Sequence, residues 1–216
     1  MNTRLLAGLL FAVSIVGLSL GATLPLVSLR LLDAGASTLH IGILSAAPAA
    51  GMMLSAFLVD ACCRHFTRRT IYLLSFGLCA VSVGLIDWAF DVTWLLGLLR
   101  LGMGVGMGIA IILGESWVNE LSEEHNRGKV MALYATAFTG CQMLGPAMLS
   151  LLGAQGPWLL VMVSVGYALA LASIVYFSAL KSGPVQRSAL PPLKQPHWTL
   201  LVQGVDLHLP AAHELL

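Results

Sequence analysis

Arg100 lies inside an apolar run that begins at Trp94 and is long enough to cross a bilayer, a distance that takes about 20 residues at about 1.5 Å of rise each. A cation at mid-membrane depth costs about 2.5–3.5 kcal/mol on insertion scales, so its guanidinium must face protein, water or a ligand and not lipid. Two chemistries are open to it. It can bind an anionic or polar solute group or a backbone carbonyl, or it can serve as a structural cation reaching back to the outer headgroups near the start of its span. Gly102, Gly104, Gly106 and Gly108 follow as two overlapping small-x-x-x-small pairs. Their spacing predicts that a second helix approaches one side of this span closely. The run closes on Glu115 and a polar segment with Glu120, Glu123, Glu124, Arg127 and Lys129.

A second set of chemical groups falls at one membrane face: Asp60, Arg64, Arg68, Arg69, Glu115 and Arg127. The spacing places Arg64, Arg68 and Arg69 in a tight loop between the second and third spans. Carboxylates and guanidiniums there can form a cluster between helix ends that favours one conformation of the bundle. Cations that merely set topology, with solvated acids, explain the same residues. Inside the spans, Gln142, Thr136, Thr139, Asn119 and Ser45 can offer hydrogen bonds to a cavity, although Ser and Thr commonly bond their own helix carbonyls. Tyr134 and Trp117 fit either a cavity or an interface anchor. No span carries a mid-membrane carboxylate, because Asp87 and Glu115 lie near span ends, so nothing points to a proton site. An intramembrane enzyme needs a nucleophile with its base, or a His/Glu metal set, and no span offers one. Cys62, Cys63, Cys79 and Cys141 lack disulfide or zinc spacing, and His208 and His213 make no ligand set, so no cofactor or metal is expected.

The elements that must position these groups follow from composition. With 58% hydrophobic and 10% charged residues and a mean hydropathy of +0.88, the chain holds more apolar surface than one soluble core hides. A formal net charge of +1, with no basic patch, excludes a nucleic-acid binder. Six apolar spans are predicted at about 5–29, 40–59, 71–88, 94–115, 130–152 and 158–180, making 1–180 an all-α, polytopic six-span bundle. Pro25 lies in the first span, as a bend facing a cavity or as the mark of the helix exit, and Gly145 and Pro146 lie in the fifth. Residues 181–216 read as a polar, proline-containing cytoplasmic tail. With a cytoplasmic amino terminus, nine cations (Arg4, Arg64, Arg68, Arg69, Arg127, Lys129, Lys181, Arg187, Lys194) fall inside and only Arg30 outside. Both termini are therefore expected in the cytoplasm.

Arg100, Gly104 and Gly106 fit R-x-x-x-G-x-G, and with six spans and a basic turn after the second they resemble the amino-terminal half of a major facilitator superfamily transporter. Glu115, Trp117 and Asn119, then Arg127, Gly128, Met131 and Tyr134, resemble a poorly characterised bacterial branch of small-molecule facilitators within it. Arg68 and Arg69 fit the closing basic pair of that superfamily's loop signature, while Ala56 and Thr67 replace its glycines and Asp60 stands too far from the pair. Gly145 and Pro146 resemble the core of an export-associated pattern whose flanking glycines are replaced by Cys141 and Leu149. The resemblance implies alternating-access transport of a small organic solute in a bacterial inner membrane. Arg100, Gly104, Gly106 and Gln142 would line the path, and Asp60, Arg64, Arg68, Arg69, Glu115 and Arg127 would form a cytoplasmic gate. Superfamily members usually pair two such halves. The expectation is a chain cut short after one half, whose partners are the bilayer, the solute and a second six-span half or a second copy. The alternative is a six-span structural or accessory membrane protein with no transport path.

Overall fold

The computed structural model describes residues 3–179. These form α1 Thr3–Asp33, α2 Thr38–His65, α3 Arg68–Ala89, α4 Thr93–Leu121, α5 Arg127–Leu152 and α6 Trp158–Ala179, with one 3-10 turn at Glu124–Asn126. Each of the six helices is long and apolar enough to cross a membrane. The chain is a multi-pass membrane protein, all-helical among the described residues. The tail read at 181–216, with Lys181, Arg187 and Lys194, lies outside the described residues.

Local chemistry sets the short turns, and the short turns force alternating helix directions. Gly35 takes φ 74° and closes a Schellman motif, with its own N–H on Leu32 O and that of Ala36 on Leu31 O. Ser37 then caps α2 by accepting from the His40 N–H. Between α2 and α3 only Phe66 and Thr67 are non-helical, and Thr67 caps α3 through the Thr70 N–H at 3.2 Å. Arg64 is therefore in the last turn of α2, and Arg68 and Arg69 in the first turn of α3. This corrects the expected loop placement: the capping threonine starts α3 earlier than its apolar run does, and the basic residues continue the helices past the apolar spans.

Helix α1 packs on α5 and α6, and α4, running the opposite way, packs on α2 and α3; α3 and α6 also meet. The second three helices thus repeat the packing of the first three with inverted topology. Both close crossings rest on glycine. A Cβ on Gly17 or Gly21 of α1 would collide with the α5 backbone at Phe138 or Gln142, and one on Gly104 of α4 would collide with Pro48 O of α2. The four glycines of α4 do not serve one neighbour: Gly104 and Gly108 face α2, whereas Gly102 and Gly106 face α3. This corrects the one-sided reading, because two residues turn a helix by about 200°.

The two ends of the bundle differ. Trp88, Trp94 and Trp158, all exposed, fall at the end where α3 finishes and α4 and α6 begin. Arg4, Arg64, Arg68, Arg69, Arg127 and Lys129 fall at the other. At the tryptophan end, Arg30 on α1 pairs with Asp87 on α3, donates from Nη2 to Gly156 O at 2.8 Å and from Nε to Ala154 O, and lies 5.1 Å from the Phe90 ring centre. It fastens α1, α3 and the α5–α6 turn together.

Candidate functional site

Arg100 is fully buried on α4. Its Nε donates to Leu44 O of α2 at 2.8 Å, and its Nη1 donates to Thr23 O of α1 at 3.3 Å. The Leu44 carbonyl is available for a reason written in the chain: the residue four positions on is Pro48, which has no N–H to give it. Thr23 turns its own hydroxyl back to Ser19 O at 2.7 Å, and Ser28 and Ser45 join α1 to α2 through a 3.1 Å hydroxyl contact. One guanidinium nitrogen, Nη2, is buried with no hydrogen-bond partner among the described residues. The side chain does not reach for the headgroups at the tryptophan end; it turns inward to two helix carbonyls. It also does not stand on an open wall, since protein shields it completely.

The other path residues surround this node without touching the guanidinium. Gly104 brings α4 against Pro48, and Gly106 brings it against Ser75 O and Cys79 Sγ of α3, at 2.8 and 2.7 Å from a built Cβ. Gln142 sits on α5 against Gly21 of α1. Its carbonyl is the one that Pro146 deprives of a donor, so Pro146 stands to Gln142 on α5 as Pro48 stands to Leu44 on α2. Gly145 faces Gly21 and Ala22 across the same crossing, and Pro25 lies within α1, which continues past it to Asp33.

A groove of about 290 Å³ opens between the starts of α2 and α4 at the tryptophan end. Leu39, Ile43, Leu44, Trp94 and Gly97 supply apolar walls, and Ser37, His40 and Thr93 supply polar groups. Two of its lining residues lead to Arg100: Leu44 holds Nε by its carbonyl, and Gly97 lies about one turn before Arg100 on α4.

At the basic end, among the described residues, one interhelical ion pair forms, Arg68 Nη1 to Glu120 Oε2 at 2.6 Å, joining α3 to α4. Asp60, Arg64, Arg69, Glu115 and Arg127 make no ion pair among the described residues. The expected cluster is thus reduced to a single pair in this conformation, and its acid is Glu120. The reason is geometric: α4 stays helical to Leu121 and carries Glu120 beyond Glu115 to the level of Arg68, while α2, which bears Asp60, packs chiefly on α4 and barely meets α3. Beside Glu115, Gly114 faces the hydroxyls of Tyr134 and Tyr72, and the ring of Tyr72 meets Trp117 edge-on at 5.7 Å. Tyr134 is therefore a buried packing residue here, and its hydroxyl has no partner among the described residues. Sequence reading missed Pro48 as the complement of Arg100, Glu120 as the partner of Arg68, and the role of Arg30. Only the first had a local signal, a proline four residues after an acceptor.

Comparison with known proteins agrees with this architecture. The sequence model described as Major Facilitator Superfamily matches residues 9–210. An uncharacterised MFS-type transporter, YfkF of Bacillus subtilis (strain 168), is 27% identical over 143 residues, which are 66% of this chain and 36% of that protein. Among solved structures, the crystal structure of a D-xylose-proton symporter superposes with a TM-score of 0.63 at 18% identity, covering 94% of this chain and 50% of the symporter chain. The chain spans half the length, or less, of these relatives.

Proposed function

This chain belongs to the Major Facilitator Superfamily, and from that premise we propose that it forms one six-helix wall of a secondary transporter for a small organic solute, working by alternating access. The observation that carries this reading is the uneven enclosure of the helices. In their most apolar stretches α1 and α4 are 61% and 50% buried, whereas α2 and α5 are only 22% and 11% buried. The two helices that flank the α1–α4 pair therefore present faces for which a second six-helix half, or a second copy of this chain, is the natural cover. Thr136, Thr139, Gly140 and Met143 lie along a shallow groove on the open face of α5, and Ala46, Ala49 and Met53 along that of α2.

In this reading Arg100, Gly104 and Gln142 belong to the path side of the bundle, while Gly106 packs α4 against α3. Asp60, Arg64, Arg68, Arg69, Glu115 and Arg127, joined by Glu120, belong to a cytoplasmic gate. The basic end faces the cytoplasm of a bacterial inner membrane and the tryptophan end faces outward, consistent with the cation imbalance. The D-xylose-proton symporter supports solute transport as a class.

A second reading, a six-span accessory protein with no path, draws on the complete burial of Arg100. Cysteine accessibility separates the two. In a variant lacking Cys62, Cys63, Cys79 and Cys141, single cysteines at Ala49, Thr136 and Thr139 are treated in membranes with a charged, membrane-impermeant maleimide. Labelling at all three supports a wet passage; protection at all three, with labelling only by a lipid-soluble maleimide, removes the transport reading.

A further inference from the structure

The guanidinium of Arg100 is a buried positive charge whose hydrogen-bond partners are both neutral carbonyls. Carbonyl dipoles orient a cation and offset part of its desolvation, but they leave its net charge in place, and buried charges are as a rule paired. No carboxylate among the described residues touches it. Its remaining nitrogen, Nη2, is fully enclosed and has no partner among the described residues. The groove at the tryptophan end is lined by Leu44, whose carbonyl holds Nε, and by Gly97, three residues before Arg100 on α4, and its walls of Leu39, Ile43 and Trp94 are apolar.

We infer that Arg100 is the anchor for the carboxylate of a small monocarboxylate with an apolar body, admitted through the α2–α4 groove when the Leu44 side chain moves aside. Leu44 O and Thr23 O hold Nε and Nη1 so that Nη2 is the free donor, and the charge-assisted bond it makes supplies the missing negative charge. The apolar body lies against Trp94 and Ile43. A neutral solute of the same shape gains the apolar contacts and forfeits the ion pair, so discrimination by charge is the signature of this site. The inference rests on the transport reading for its purpose, but its test reads binding alone.

The test uses the full chain, purified in dodecyl maltoside, titrated with benzoate and with its neutral analogue benzamide and followed by thermal unfolding and by calorimetry. Benzoate is expected to raise the unfolding midpoint and to bind at least about tenfold more tightly than benzamide, a difference of about 1.4 kcal/mol. Arg100→Gln is expected to bring the two affinities together. Gly97→Ala, whose added Cβ meets only the tip of Leu44 at 3.4 Å, is expected to weaken benzoate binding with the fold intact, so the test survives an unstable Arg100 variant. Equal affinity for the two probes, no binding of either, or benzoate binding that persists in both variants overturns the inference. So does stabilisation by phosphatidylglycerol with none by benzoate, which would assign the charge to a lipid headgroup. The two readings fail separately: charge-selective binding with protected cysteines removes transport alone, and labelled cysteines with equal probe affinities remove the anion site alone.

Discussion

Arg100 Nε donates to the carbonyl of Leu44 at 2.8 Å, and Leu44 is the residue whose helical donor Pro48 cannot supply. Two features that each look costly in a membrane, a proline inside a helix and an arginine at depth, therefore offset one another. The proline leaves a carbonyl open, the arginine fills it, and the close approach of Gly104 to Pro48 brings the two helices near enough for the bond to form.

This complementarity predicts coupling between the two positions. Arg100→Met alone leaves Leu44 O buried without a donor, at a cost of about 1–3 kcal/mol. In a Pro48→Ala background the restored N–H serves that carbonyl, so the same arginine substitution is expected to cost about 1 kcal/mol less. Unfolding of the four proteins in mixed micelles measures the difference; additive costs would show that proline and arginine act independently.

The six spans and their order were legible because a membrane helix announces itself by length and hydropathy; α3, α5 and α6 begin and end within three residues of the expected limits, whereas α1, α2 and α4 run four to six residues past theirs. Arg100 was legible as anomalous, since a charge inside an apolar run stands out. Its partners were not, because Leu44 and Thr23 contribute main-chain carbonyls, which every residue possesses and no residue type marks. The charge pairs were hidden for another reason. Arg30 with Asp87 and Arg68 with Glu120 join residues far apart in the chain, and which acid reaches which base depends on how far each helix runs past its apolar stretch. Asp87 reads as a residue near a span end and Glu120 as part of the polar segment after the fourth span until α3 and α4 are seen to run on to Ala89 and Leu121.

Glycine substitutions should separate packing from mere flexibility. Gly104→Ala places a methyl group into the backbone of α2 at Pro48, which cannot swing aside, whereas Gly140 has open space around it. Overpacking is expected to destabilise the first by about 1–3 kcal/mol. The second, an exposed helical glycine, should be neutral or gain about 0.5–1 kcal/mol. Denaturation of both variants in the same detergent checks the contrast, and similar losses at the two sites would refute the crossing geometry.

Arg30 should be a structural clasp. Arg30→Gln removes the ion pair to Asp87, two carbonyl bonds to the α5–α6 turn and the stack on Phe90. A loss of about 2–3 kcal/mol is expected. Arg30→Lys should recover little of it, because an ammonium cannot reproduce the planar fork. Asp87→Asn leaves the carbonyl bonds in place and should cost less than Arg30→Gln. Limited proteolysis at the α5–α6 turn offers a local readout: faster cleavage in Arg30→Gln than in Asp87→Asn is expected, and equal rates would mean that the carbonyl bonds contribute nothing.

The Arg68–Glu120 pair calls for a different test, since both side chains are partly exposed, at 34% and 52%. Exposed pairs contribute at most about 1 kcal/mol, and salt weakens them further. Glu120→Ala should therefore leave the unfolding midpoint almost unchanged, so a stability assay does not address gating. A gate predicts instead that the pair biases which end of the passage is open. Glu120→Ala should then increase maleimide labelling of a cysteine introduced at Ala61 near the basic end, and the double charge swap Arg68→Glu with Glu120→Arg should return labelling toward the parent level. If the cations serve only to orient the chain, the single and double variants will label alike, and any change will be confined to the efficiency of membrane insertion.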